Sequence, residues 1–157
     1  MIDIILIVVG KLKDKNLDSL ATDYIKRIKP FARLKIIEVE AVPFASHNHE
    51  AAKRLEAERI LKVIEKEEAN PKGAATWLLA ERGESFKSST DFSFWLNKKS
   101  PLILVLGGSL GFSEELYKSY RQISLSTLTF PHELARVVFL EQLYRSTLIS
   151  SNKEYHY

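Results

Sequence analysis

Leu102-Ile103-Leu104-Val105-Leu106-Gly107-Gly108-Ser109-Leu110-Gly111 is a run of five apolar residues that ends in a loop holding three glycines. An unbroken apolar run of this length, bounded by turn residues, reads as a strand buried on both faces, the habit of parallel sheets. Ser113 then stands where a following helix needs its cap. Strand, glycine loop and helix start in succession place backbone amides where a cofactor can bind. A tight turn at a sheet edge remains the plainer alternative. The dinucleotide fingerprint G-x-G-x-x-G does not fit, because two of the glycines are adjacent, and no G-x-x-x-x-G-K-[ST] phosphate loop occurs in the chain.

Working outward, Ile2 to Val9 is a second isoleucine- and valine-rich run, closed by Gly10. Leu17, Leu20, Ala21, Tyr24, Ile25 and Ile28 fall at helical spacing, and Pro30 closes that helix. A strand is expected from Leu34 to Val42, ended by Pro43, then a helix from Asn48 to Ala69 with Asn48 as its cap. Ala74 to Ala80 reads as a strand, Glu81 to Thr90 as a polar loop, and Thr90 to Asn97 as a short helix before Pro101. Beyond the glycine loop come a helix, a strand over Ile123 to Leu128 and a last helix from Glu133 to about Ile149. Alternating strands and helices predict one α/β domain over residues 1–157, with a mainly parallel sheet and helices on both faces.

The chain has 157 residues, enough for one domain with a real core. Without cysteine it has no disulfide, no thiolate zinc site and no cysteine nucleophile. Ile4 to Val9 is too short to span a bilayer, and Asp3 stands where a signal peptide would carry positive charge, so a soluble, cytoplasmic protein without membrane attachment is expected. The formal net charge of +3 leans towards anionic partners. Interleaved Lys and Glu from Lys53 to Glu68 read as a solvated helix face, and His47 and His49 as loop and cap rather than metal ligands; no metal is expected.

Between Ser124 and Arg136, small hydroxyl residues alternate with leucine, and Pro131-His132 then lead into the last helix. At about 100° per residue His132 and Arg136 share one face of that helix, while Glu141 and Arg145 lie near the opposite one. Arg136, Glu141 and Arg145 are set among apolar residues, so the charges need partners, a ligand or both. For Glu141 and Arg145 the i,i+4 spacing also allows a plain intrahelical ion pair.

In combination, Gly107-Gly108-x-x-Gly111, Leu125-Ser126-x-Leu128-Thr129-Phe130-Pro131-His132-x-Leu134-x-Arg136, Glu141-Gln142-Leu143-Tyr144-Arg145 and Tyr155-His156 resemble the ribosomal RNA large-subunit methyltransferase H family. These are pseudouridine N3-methyltransferases of the SPOUT class, and the similarity runs from Val9-Gly10-Lys11 to the tail. The resemblance implies a C-terminal trefoil knot, a homodimer, S-adenosylmethionine as cofactor and large-subunit (23S) ribosomal RNA as substrate, on the assembled ribosome. It implies cofactor contacts from Leu79, Gly107 and the run Leu125, Ser126, Thr127, Leu128, Thr129 and Phe130. For the reaction it implies His132, Arg136, Glu141, Tyr144, Arg145, Tyr155 and His156. Two positions depart from the family pattern: Ala80 stands where an aspartate is common, and no basic residue follows Tyr155-His156.

Methylating an imide nitrogen requires its proton to leave, which calls for a general base or for cations that stabilise the anion. Glu141 ranks first as that base; His132, Tyr155 and His156 are alternatives, and Arg136 and Arg145 are the cations. The rival class is a non-catalytic RNA-binding or ribosome-assembly factor, to which the Tyr155-His156-Tyr157 tail would contribute stacking. Recognition of S-adenosylmethionine separates the two.

Overall fold

The computed structural model describes residues 1–69 and 73–151. Its elements alternate: β1 (Ile2–Val9), α1 (Lys15–Ile28), β2 (Ala32–Val39), α2 (His49–Glu68), β3 (Ala75–Ser85), α3 (Ser89–Lys99), β4 (Leu102–Leu106), α4 (Glu114–Ser119), β5 (Arg121–Ser124) and α5 (His132–Ser150). The five strands form one sheet in the order β2-β1-β4-β3-β5, and each neighbouring pair is parallel. The apolar runs of β1 and β4 therefore occupy the centre, where both faces are covered. From one face Ile2, Ile4, Leu6 and Val8 pack with Leu102, Leu104 and Leu106 under α1, α3 and α5. From the other, Ile7 and Val9 pack with Ile103 and Val105 under α2 and α4. Helix α5 lies against both α1 and α3.

Several boundaries differ from those expected. β2 ends at Val39 rather than Val42, because its partner β1 turns away at Gly10, whose φ of 76° is open to glycine; the Gly10 N–H still reaches the Val39 carbonyl at 2.8 Å. Asn48 does not cap α2, since its Oδ1 accepts from the Ala45 N–H at 2.6 Å and closes the preceding turn instead. The polar segment from Glu81 is strand as far as Ser85, because β5 lies alongside and pairs with Glu84 and Ser85. Leu79 and Glu84 both oppose Ile123, so residues 80–83 form a long bulge between them.

Candidate cofactor cleft and reaction site

In a parallel sheet the loops after the strands' carboxyl ends are where a ligand can be cradled. Here β3, β4 and β5 deliver Leu79, Gly107 and Leu125 to one cleft of about 840 Å³. That volume lies in the range of ordinary cofactor and small-ligand sites. Leu79, Ala80, Leu106, Leu125, Leu128 and Phe130 give it an apolar lining, and the glycine loop, Glu81, Arg82, Glu114 and His132 supply the polar groups. A second concavity, about 530 Å³, lies near the opposite end of β3 and β5, around Trp77, Tyr120 and Arg121. It lacks the glycine loop.

The glycines of the loop are required by packing as well as by turning. A Cβ on Gly107 would meet the Phe112 ring at 3.3 Å, and one on Gly108 would lie 3.0 Å from Val9 Cγ1 and 3.2 Å from Glu56 Oε2. Gly111, at φ 70°, closes a turn with its N–H 3.0 Å from the Gly108 carbonyl. The loop is thereby pressed against β1 and α2, with its other side forming a wall of the cleft.

The hydroxyl-leucine run is a loop rather than the strand expected over Ile123 to Leu128; β5 stops at Ser124. Its own side chains displace the ladder. Ser124 Oγ donates to the Ser126 carbonyl at 2.6 Å and accepts from the Ser126 N–H at 3.2 Å, while Ser126 Oγ accepts from the Leu128 N–H at 3.0 Å. Thr129 Oγ1 donates to Glu81 Oε2 at 2.6 Å, which ties the loop to the bulge of β3. Leu128 is left 69% exposed at the mouth, an apolar side chain available to a ligand.

α5 starts at His132, after Pro131, and His132 Nδ1 lies 3.1 Å from Ser109 Oγ, bridging helix and glycine loop. One turn on, Arg136 is buried at 4% exposure. Its Nη2 donates to the Gly10 carbonyl at 2.6 Å and its Nη1 to Glu38 Oε1 at 3.3 Å, while Nε has no partner among the described residues. Burial pulls this guanidinium below its ordinary pKa, and Glu38 opposes that. Arg136 thus holds the ends of β1 and β2 to α5.

Glu141 and Arg145 form an intrahelical pair, with Arg145 Nη2 and Nε donating to Glu141 Oε1 at 2.6 and 3.0 Å. Gln142 Nε2 donates to the other carboxylate oxygen at 2.6 Å. Tyr144 faces α1, its ring 6.2 Å from that of Tyr24, with the Arg27 guanidinium 6.0 Å away. Glu141 follows His132 by nine residues, about 13.5 Å along the helix axis at about 1.5 Å per residue.

The fold therefore gathers Leu79, Gly107, Leu125, Ser126, Leu128, Thr129, Phe130 and His132 around one cleft. Thr127, Arg136, Glu141, Tyr144 and Arg145 are not among its lining residues, and Tyr155 and His156 lie outside the described residues. Lys53, Arg82 and Tyr117 line the cleft with no motif to announce them; Arg82 stacks 3.2 Å from the Tyr117 ring centroid and pairs with Glu114 at 3.2 Å. Among the described residues no cluster of His, Cys, Asp or Glu is arranged to hold a metal, and no helix is long and apolar enough to cross a membrane.

Residues 2–156 match the family described as "Predicted SPOUT methyltransferase". The chain belongs to the SPOUT methyltransferase family. Its relatives include the ribosomal RNA large subunit methyltransferase H of Kosmotoga olearia, 37% identical over 153 residues that cover 94% of this chain and 95% of the relative. That of Acetivibrio thermocellus is 38% identical over 162 residues, covering 98% of each chain. Solved SPOUT-like folds resemble this methyltransferase in architecture. A structure described for the 2-OH methylation of C/U34 on tRNA superposes with a TM-score of 0.52 at 14% identity, over 92% of this chain and 96% of that one. The SpoU methyltransferase AviRb from Streptomyces viridochromogenes, in complex with AdoMet, gives 0.50 at 12% identity, over 94% and 60%.

Proposed function

We propose that this SPOUT methyltransferase uses S-adenosylmethionine to methylate large-subunit ribosomal RNA, at N3 of a pseudouridine on the assembled ribosome, and that it works as a homodimer in the cytoplasm. The observation that carries the reading is near full-length similarity to large-subunit methyltransferases, joined to a cleft built from the motifs that carry that similarity. The cleft suits the cofactor. Its apolar lining can cover an adenine ring, and the glycine loop contributes main chain to the wall beside Ser109 and Leu110. When bound, S-adenosylmethionine supplies an activated methyl group and its own leaving group.

The chain's task is to hold and deprotonate the acceptor in line with that methyl group. Glu141 takes the N3 proton on a carboxylate oxygen, and Arg145, 2.6 Å away, stabilises the charge that develops on the base ring. His132, at the mouth of the cleft, orients the acceptor, while Arg136 fixes the helix that carries all of these groups. Because Glu141 is about 13.5 Å from His132 along one straight helix, a second copy is the simplest source of the groups that complete each cleft. Tyr155 and His156 are assigned to RNA contact in the same reading. The knotted C-terminal thread that the family resemblance implies belongs to the same reading.

Incubation of the protein with methyl-labelled cofactor and either intact ribosomes or free ribosomal RNA tests the reading. Label should enter large-subunit RNA in ribosomes and far less in free RNA. Tight cofactor binding with no transfer to either would overturn it, and RNA binding without cofactor binding would favour the non-catalytic alternative.

A further inference from the structure

The loop between β1 and α1 carries Lys11 and Lys13, and α1 opens with Lys15; all three are exposed, and no ion pair among the described residues engages them. Leu12, between the first two, packs on the main core and sets their spacing. The acids close by are largely committed to backbone. Glu133 accepts from the Lys13 N–H at 2.6 Å and from the Asp14 N–H at 3.3 Å. Asp14 in turn caps α1 by accepting from the Asn16 and Leu17 N–H groups at 2.8 and 3.0 Å. Glu38 serves Arg136, which leaves Asp18 as the remaining acid on the first turn of α1. Glu133 immediately follows His132, so the loop is pinned beside the mouth of the cofactor cleft.

A lysine-bearing segment held by two carboxylates spent on main-chain donors is a cationic surface of fixed shape, suited to a polyanion rather than to an intramolecular partner. We propose that Lys11, Lys13 and Lys15 form a phosphate clamp that docks the RNA backbone next to the methyl donor, with Glu133 as the residue that positions it. This rests on the ribosomal RNA methyltransferase reading. The clamp supplies position and salt-sensitive affinity, while the choice of base is left to the cleft.

The test compares wild type with K11Q/K13Q/K15Q and with K26Q/K29Q/K62Q, which removes three exposed lysines elsewhere; each variant lowers the formal net charge from +3 to 0. Methyl transfer to intact ribosomes is measured across a range of KCl concentrations, and cofactor affinity by calorimetry. For the loop variant the slope of log KM against log salt should fall by about 2, from about 0.7 per lost contact to single-stranded RNA, at unchanged cofactor affinity. The distal variant should keep the wild-type slope. E133Q should keep the slope as well, since the cations remain, while KM for ribosomes rises several-fold. A loop variant with wild-type KM and slope overturns the clamp, and so does an equal loss in both triple variants, which would make the effect one of net charge. Failure of wild type itself to methylate ribosomes would instead remove the reading on which the clamp rests.

Discussion

Replacing Gly83 with alanine sets two effects of opposite sign against each other. The φ of Gly83 lies outside the left-handed region, so alanine can adopt the backbone there. On conformational grounds alone the substitution would stabilise by about 0.4–1 kcal/mol, through a less disordered unfolded chain. The new Cβ, however, would sit 2.5 Å from the Ile123 carbonyl carbon and 2.7 Å from its N and O. These are main-chain atoms of β5 and cannot swing aside, so the overpacking cost is about 1–3 kcal/mol, and it wins. A net loss of about 1–2 kcal/mol corresponds to a melting temperature lower by roughly 2–8 °C for a chain of this length. Circular-dichroism melts at fixed protomer concentration measure it. Ile123 leads directly into Ser124 and Leu125 of the cleft, so cofactor affinity should fall in the same variant. A G83A protein that melts at or above the wild-type temperature would refute the packing argument.

Arg136→Ala should cost about 2–4 kcal/mol in denaturant unfolding, because it empties a buried site and strips the Gly10 carbonyl of a charged donor. Arg136→Met should cost less, since it fills the stem's volume and buries no guanidinium. The Lys13 N–H, followed by that of Asp14, holds the Glu133 carboxyl below its ordinary pKa, so its stabilisation is present above the unfolded value and lost as pH falls through the folded one. The stability gap between wild type and E133Q should accordingly be open at pH 7 and close as pH drops below about 4; a gap that widens there would contradict the assignment. Ser126→Ala removes the acceptor for the Leu128 N–H and should weaken cofactor binding about three- to tenfold by calorimetry, equivalent to about 0.6–1.4 kcal/mol.

What the sequence disclosed followed its physics. The apolar runs of β1 and β4 were legible because central parallel strands are buried on both faces. The glycine loop was legible as a close approach of backbone, although Val9, Glu56 and Phe112, which press on it, come from two other elements and its own flank. Alternation of Ser and Leu after Ile123 mimicked a strand, but in the fold the hydroxyls take the backbone bonds a neighbour would have supplied. Glu81 to Ser85 carried the reverse signal, a polar segment made strand by β5 beside it. Arg136 was visible as a charge embedded in apolar surface, yet its partners are a main-chain carbonyl 126 residues away and Glu38, 98 residues away, which no local pattern encodes. Lys53, Arg82 and Tyr117 reach the cleft from three separate elements and had no spacing to reveal them.

The central claim is that the cleft serves methyl transfer to a ring nitrogen in ribosomal RNA. Ribosomes lacking the modification, treated with this protein and a cofactor carrying a deuterated methyl group, can be digested to nucleosides and resolved by mass spectrometry. The account predicts one labelled nucleoside, a pseudouridine carrying the heavy methyl on N3, from the large-subunit RNA. A label on ribose, on another base or on small-subunit RNA, or no labelled nucleoside at all, would contradict it.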